Sequence, residues 1–281
     1  MLNKQHYICN IIQSQRMKVS VIIPAYNEEK CIIAIIKAII VQSYIDYEVI
    51  IVDNNSTDST WVKTTKYLSS IYPKNVVNNE DDFRCDISGI NFHVVKEYQR
   101  GTNNAREKGR SIATGEILAF ADADCMPYPD WISSGVNLFK SRNVAAASGA
   151  YFFYDDTIIR SFISLYTQIL LYKPISYILQ LFNRGGIING GNIFILSNVF
   201  NKLGGFNTDL SFYGDDVDTA IRASKCGKVL FSTSITMPTS SRRFKELGYS
   251  KTNKKNISVY LKMIFGKSFS AEESKETVHP R

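Results

Sequence analysis

Four solid apolar runs, separated by stretches of helical length, constrain this chain more than any other feature. Val19-Ser20-Val21-Ile22-Ile23, Glu48-Val49-Ile50-Ile51-Val52, Asn91 to Val95 and Glu116-Ile117-Leu118-Ala119-Phe120 each read as a strand covered on both faces. Between them, Glu29 to Val41 is rich in isoleucine, and Trp61, Thr65, Leu68 and Tyr72 recur at helical spacing. Thr102 or Asn103 is placed to cap a further helix that ends before Gly115. Such alternation predicts an α/β domain with a mostly parallel, Rossmann-like sheet flanked by helices. Residues 73 to 89, with Asn78, Asn79, Glu80, Asp81 and Asp82, break the rhythm and read as a solvated polar loop.

Open parallel sheets bind ligands at the carboxyl ends of their strands, and three polar sets stand there. Pro24-Ala25-Tyr26-Asn27-Glu28 follows the first strand, Asp53-Asn54-Asn55-Ser56-Thr57-Asp58 the second, and Asp122-Ala123-Asp124 the fourth. Residues two apart on an extended backbone point the same way, so Asp122 and Asp124 can both face one Mg²⁺ or Mn²⁺ and the diphosphate it carries. Ser56, Thr57 and Asp58 read as caps for the helix containing Trp61. Asp53 precedes that cap, where its carboxylate can accept a hydrogen bond from a base ring N–H.

Composition narrows the class. With 281 residues, 44% of them hydrophobic, the chain can bury a large core in one domain. A formal charge of +7 suits an anionic ligand or membrane surface, and no nucleic-acid-binding module accompanies it. The five scattered cysteines predict neither a disulfide framework nor a zinc site, which favours a reducing, cytoplasmic setting. Three histidines are too few to build a metal centre, so oxygen ligands are expected. The apolar patch Tyr7-Ile8-Cys9 with Ile11 and Ile12 is too short for a signal peptide, and Met17 is a second candidate start.

From the first strand through Asp122-Ala123-Asp124 to Gly204-Gly205-Phe206 and Gly214-Asp215-Asp216-Val217-Asp218, the chain resembles the family 2 inverting glycosyltransferases of the glycosyltransferase-A fold. The resemblance covers roughly residues 18 to 232. It implies a metal-dependent transfer from a nucleotide-diphosphate sugar, with Mn²⁺ or Mg²⁺ as cofactor, to a sugar or lipid-linked acceptor. It assigns Pro24, Ala25, Tyr26, Glu28, Asp53, Asn55, Asp122 and Ala123 to the nucleotide, and Asp124 with Asp122 to the metal. Ala105-Arg106-Glu107-Lys108-Gly109 matches a family stretch with Glu in place of Asn. Arg106 is thus a nucleotide candidate, with a solvated helix face as the alternative. The family's Glu-Asp pair stands here as Asp215-Asp216, which makes Asp216 the general base and Asp215 its neighbour. Asn189, Gly190, Gly191 and Asn192 are expected to shape the donor-sugar and acceptor pocket. A uridine nucleotide is preferred because Asp53 matches a position often used for uracil.

The expected organisation is an extension at 1–17, a catalytic domain at 18–240 divided near residue 125 into nucleotide and acceptor halves, and a basic amphipathic segment at 241–281. Two rivals are a nucleotide-sugar binding protein without activity and a sugar nucleotidyltransferase. The latter calls for a glycine-rich basic loop where Pro24 to Glu28 stand. Ile158 to Phe182 is apolar, but Arg160, Lys173 and Pro174 interrupt it, which disfavours a membrane span and favours packing on the sheet or on a second subunit. Ile257, Tyr260, Leu261 and Ile264, surrounded by Lys251, Lys254, Lys255, Lys262 and Lys267, have the profile of a helix lying on an anionic membrane.

Overall fold

A computed structural model describes residues 16–262, apart from 142, 183, 211–213, 250, 253, 255–257 and 259–260. Nearly all of the expected N-terminal extension, and most of the basic stripe at 251–267, lie outside the described residues.

The strands are β1 (Val19–Ala25), β2 (Tyr47–Asp53), β3 (Lys74–Asn78), β4 (Asp82–Ile87), β5 (Ile90–Lys96), β6 (Ile117–Ala121), β7 (Val144–Phe153), β8 (Asn192–Leu196) and β9 (Lys228–Thr239). They form one sheet in the order β3-β4-β5-β2-β1-β6-β8-β7-β9. Its centre, β5-β2-β1-β6, is parallel, with Ile22 of β1 opposite both Ile50 of β2 and Phe120 of β6. Antiparallel pairs flank this centre, so the sheet as a whole is mixed.

The apolar runs lack a polar alternate because helices cover both faces. Val21, Ile23, Val49 and Ile51 point to one side and meet α1 (Ile32–Ile40), which seats Ile32, Ile35, Ile36 and Ile39 with no exposed surface. That i, i+3, i+4, i+7 stripe is what a covering helix requires, and each buried isoleucine contributes roughly 1.5–3 kcal/mol. On the other side Ile22, Ile50, Val52 and Phe120 meet Ala105 of α3 (Thr102–Ile112), whereas Leu68 of α2 (Thr60–Ser70) packs with the α1 side. A Cβ on Gly109 would stand 2.4 Å from Ile22 Cγ2, so glycine lets α3 lie close enough to aim Arg106 at the sheet's carboxyl edge.

Three local expectations change. Residues 73–89 are not a simple loop: β3 and β4 extend the sheet, because Phe83, Cys85 and Ile87 alternate inward while the acidic residues face water. Tyr72 falls outside α2, at φ 54° and 96% exposed, because the helix has ended at Ser70. Gly101, not Thr102 or Asn103, is the N-cap of α3, and Asn103 instead donates from inside the helix to the carbonyls of Asn207 and Leu210. Past β6 come α4 (Trp131–Phe139), α5 (Ile158–Thr167), a π-helical turn at Gln168–Tyr172, α6 (Lys173–Leu181), α7 (Ser197–Lys202), α8 (Asp215–Ser224) and α9 (Arg242–Leu247). Among the described residues no helix is long and apolar enough to cross a membrane.

Candidate active site

Strand order reverses between β1 and β6, and the polar residues gather outside the carboxyl ends of these two strands and β2. The loop after β1 is sewn to the loop after β2. Ser56 Oγ accepts from the Asn27 amide at 3.0 Å, Thr60 Oγ1 from the Glu28 amide at 2.8 Å, and Asn27 Oδ1 from the Thr57 amide at 2.8 Å. Asp58 accepts from the Glu29 amide at 3.2 Å and from the Thr60 amide at 2.9 Å. Ser56 and Thr57 therefore join loops rather than cap α2, and only Asp58 also satisfies a helix-start amide. The left-handed turns at Asn27 (φ 53°) and Asn55 (φ 59°) bring these loops within reach.

Asp53 ends β2 almost buried, and its Oδ1 accepts from the Ser56 amide at 3.1 Å. Burial raises its pKa, against the lowering effect of the Ser56 hydrogen bonds. Pro24, Ala25 and Ala123 are interior, so a nucleotide could meet only their backbone or the loop shape they impose. Tyr26 and Asn55 keep open surface, and the Arg100 guanidinium lies 4.0 Å from the Tyr26 ring centroid.

Arg106 joins the two acidic motifs. It is 3% exposed, donating from Nη2 to Asp122 Oδ1 at 3.1 Å and from Nη1 to Asp215 Oδ2 at 2.7 Å. The solvated-helix alternative is thus excluded, and Arg106 is a bridge between residues 93 apart in sequence. Glu107, which replaces the family's Asn, accepts from the Phe206 amide at 3.1 Å and from Arg110 Nε at 2.7 Å, anchoring the Gly204-Gly205-Phe206 turn to α3.

Asp215 and Asp216 open α8 behind Gly214 (φ 86°). Asp215 is buried and raised in pKa by desolvation, opposed by Arg106. Asp216 keeps a solvent-facing flank, but the atoms packed around its carboxylate, followed by the charge of Asp215, push it up to about 7. Its Oδ1 accepts from the Val217 amide at 2.8 Å. Asp218 turns away to pair with Arg222 at 2.7 Å.

The Asn189 to Asn192 segment divides between site and scaffold. A Cβ on Gly191 would lie 2.4 Å from Asp122 Oδ2, and one on Gly190 3.1 Å from Arg106 Nη2, so both glycines allow the backbone to abut the charged centre. Asn192 is fully buried, accepting from Trp131 Nε1 at 3.0 Å and donating to the Ile235 carbonyl at 2.6 Å. Asn189 donates to the Gly149 carbonyl at 2.7 Å. These amides tie the loop to the backbone of β7 and β9.

Arg242 is the residue that sequence reading missed. Its Nη2 donates to Glu28 Oε1 at 2.8 Å and lies 3.5 Å from Asp124 Oδ2. Pairing between Cys125 and Thr239 brings the end of β9 beside the Asp122-Ala123-Asp124 turn. The Arg242-Arg243 pair just past an apolar strand was the available signal. Tyr151 was missed as well; its hydroxyl accepts from the Gly191 amide at 2.8 Å.

The model for glycosyl transferase family 2 matches residues 20–204. The chain belongs to that family. It is 30% identical over 214 residues to glycosyltransferase AglE of Haloferax volcanii, covering 74% of this chain and 62% of the relative. It is 27% identical over 176 residues to the Escherichia coli UDP-Glc:alpha-D-GlcNAc-diphosphoundecaprenol beta-1,3-glucosyltransferase WfaP, covering 61% of this chain and 62% of that one. The chain thus spans about 62% of the length of these two relatives. Among solved structures, the Pyrobaculum calidifontis mannosyltransferase in complex with GDP-Man and Mn²⁺ superposes with a TM-score of 0.66 at 20% identity, over 92% of this chain and 67% of that one. Glucosyl-3-phosphoglycerate synthase from Mycobacterium tuberculosis, in complex with Mn²⁺, UDP and phosphoglyceric acid, gives 0.56 at 19%, over 90% and 80%. The fold is that of the glycosyltransferase-A structures.

Such neighbours carry Mn²⁺, so the donor set matters. Among the described residues no three His, Cys, Asp or Glu side chains form a ready-made metal cage. Asp122 and Asp124 nonetheless offer hard oxygen donors. Two carboxylates fit a cation that takes its remaining oxygens from water and a substrate diphosphate.

Proposed function

We propose that this chain transfers a sugar from a nucleotide-diphosphate sugar, a UDP-sugar by preference, to a hydroxyl of a lipid-linked or polysaccharide acceptor, with inversion at the anomeric carbon. The observation that carries the reading is the Arg106 bridge, which ties Asp215, next to Asp216 at the start of α8, to the Asp122 carboxylate. The names of WfaP and of the Campylobacter jejuni GalNAc(5)-diNAcBac-PP-undecaprenol beta-1,3-glucosyltransferase, both relatives of this chain, support a lipid-linked acceptor.

In this mechanism Tyr26, Asp53 and Asn55 form the nucleoside side of the crevice, and Asp53 accepts a base N–H. A divalent ion held at Asp124, with Asp122 alongside, would neutralise charge on the departing diphosphate as a Lewis acid. Arg242 adds positive charge next to Asp124. Asp216 takes the proton of the acceptor hydroxyl as its oxygen bonds to the anomeric carbon; the opposite C–O bond breaks, and its electron pair leaves with the nucleotide diphosphate. A pKa of about 7 suits that task, because the carboxylate is substantially ionised at neutral pH and still basic enough to hold the proton. Asp215 is committed to Arg106 and positions the pair.

The test is a panel of nucleotide sugars scored for hydrolysis and for thermal stabilisation with Mn²⁺, with Mg²⁺ and with chelator. The reading expects one nucleotide family to stabilise the chain and to be hydrolysed slowly, in both cases only with metal. No response to any nucleotide sugar under any condition would reject it.

A further inference from the structure

The segment from α5 through the π-helical turn to α6 is built inside out. Its small and amide side chains face the protein: Ser161 Oγ donates to the Phe153 carbonyl at 2.6 Å, and Gln168 both accepts from the Tyr151 amide and donates to its carbonyl, each at 2.9 Å. Ser176 Oγ donates to the Val229 carbonyl at 3.4 Å. Ser161, Gln168 and Ser176 are buried, whereas Ile159, Ile163, Leu170, Tyr177, Leu181 and Phe182 are between 61% and 70% exposed. An ordinary covering helix does the reverse, as α1 does on the same sheet. So large a contiguous apolar face marks an interaction surface.

Its charge identifies the occupant. Between residues 157 and 208 there is no Asp or Glu, while Arg160, Lys173 and Arg184 are exposed within or beside the apolar face. The acids at its N-terminal end are engaged within the protein, Asp155 by Ser240, Ser241 and Lys245 and Asp156 by Tyr249 and Arg160, so the face is fringed mainly by cations and, with tyrosines at 166 and 177, matches the boundary between acyl chains and anionic headgroups. The helices cannot cross a bilayer, because their inner side is bonded to β7 and β9. They can lie in its surface. The face also adjoins the chemistry: Tyr172, in the π-helical turn, has its pKa raised by burial and then by the charge of Asp216.

We infer that residues 158–182 form an interfacial docking surface for an anionic lipid bilayer, which brings a membrane-borne acceptor level with Asp216. The position of the acceptor rests on the transferase reading; the docking does not. This surface is distinct from the basic stripe at 251–267 expected from sequence, most of which lies outside the described residues.

The test is flotation of the full chain with phosphatidylglycerol vesicles and with phosphatidylcholine vesicles, comparing it with the triple variant Ile159→Glu, Ile163→Glu, Leu170→Glu. These side chains are exposed, so the fold should survive, as an unchanged melting temperature would verify. The inference expects the parent to float with anionic vesicles and the variant to lose at least about tenfold of that binding. Equal flotation of parent and variant would overturn it. So would a parent that ignores vesicles and is a dimer by light scattering that the variant dissolves, since a second copy then covers the face. Nucleotide-dependent stabilisation measured without vesicles separates the two ideas: its absence in both proteins sinks the transferase reading, and its presence in both leaves the vesicle result to judge the docking surface. If the variant does not fold, Phe182→Ser alone, 70% exposed at the end of the face, repeats the comparison.

Discussion

Asp122 and Asp124 leave the end of β6, and Asp215 and Asp216 begin α8; both are pairs of carboxylates sharing Arg106, yet their surroundings suit them to different work. The Asp122 side chain is 29% exposed, with one oxygen toward Arg106 and the other against Gly191. The Asp215 side chain is 11% exposed and draws Arg106 in at 2.7 Å, while Asp216, desolvated beside it, accepts from the Val217 amide at 2.8 Å. On the proposed mechanism the first pair serves a cation, and the second supplies one carboxyl, pushed up to about 7, that exchanges a proton. The difference teaches that two carboxylate pairs sharing one arginine can have different environments, according to which of their members holds that positive charge.

The largest effect that would sharpen this contrast is in turnover. Asp216→Asn is expected to lower kcat by roughly 10²–10⁴-fold while nucleotide affinity stays unchanged, because the amide keeps the shape and cannot take the proton. Asp215→Asn should be milder. Steady-state kinetics with calorimetry of nucleotide binding would measure both, and a dead Asp215→Asn beside an active Asp216→Asn would invert the assignment. Arg106→Met removes the cation common to the two pairs and leaves carboxylates buried without it. Chemical denaturation should show a loss of about 3–5 kcal/mol, and a loss near zero would mean that the pairs do not depend on a shared charge.

A smaller effect belongs to the first pair alone. Asp124→Ala is expected to weaken nucleotide binding by about tenfold or more in Mn²⁺, roughly 1.4 kcal/mol, and to leave the metal-free value unchanged. Calorimetry with and without chelator checks it; equal affinity in all four arms would remove the metal role. The smallest effect concerns protons. The folded pKa of Asp216, about 7, lies above the unfolded value of about 3.9. Between them the folded state holds a proton that the unfolded chain releases, so this group costs stability as pH rises from about 4 to about 7. Among the described residues, Asp215, Arg106, Arg243 and Tyr172 are charged or titratable groups that act on it. Asp216→Asn should therefore melt with the parent near pH 4 and above it at pH 8, by about 1 kcal/mol once the open flank is allowed for. A pH-independent difference would show that the carboxyl is not raised.

Much of the parallel core was legible because a strand covered on both faces has no polar alternate, and β1, β2, β5 and β6 lie within a residue or two of their expected ends. The strands β3 and β4 were hidden because they lie toward the sheet's edge, where one side chain in two is polar and Asn and Asp resemble turn signals. Within the site, motif order located Asp53, Asp122, Asp124, Asp215 and Asp216. It could not show that Asn189 and Asn192 are tied into the scaffold, that Ser56 and Thr57 join loops, or that Arg242 returns to Glu28. Those facts depend on contacts between segments far apart in the chain.

The amino-acid sequence by itself determined the α/β alternation, the family and the identity of the acidic motifs, because local apolar periodicity and short ordered motifs are written along the chain. Only the tertiary structure decided what each charge does. Arg106 links Asp122 to Asp215 only once α3 has packed through Gly109 against β1, and Arg242 meets Glu28 only where β9 ends beside the turn after β6. The same holds for α5 and α6, whose composition would suit a buried helix. Their serines and glutamines bond the backbone of β7 and β9, which turns the apolar face outward.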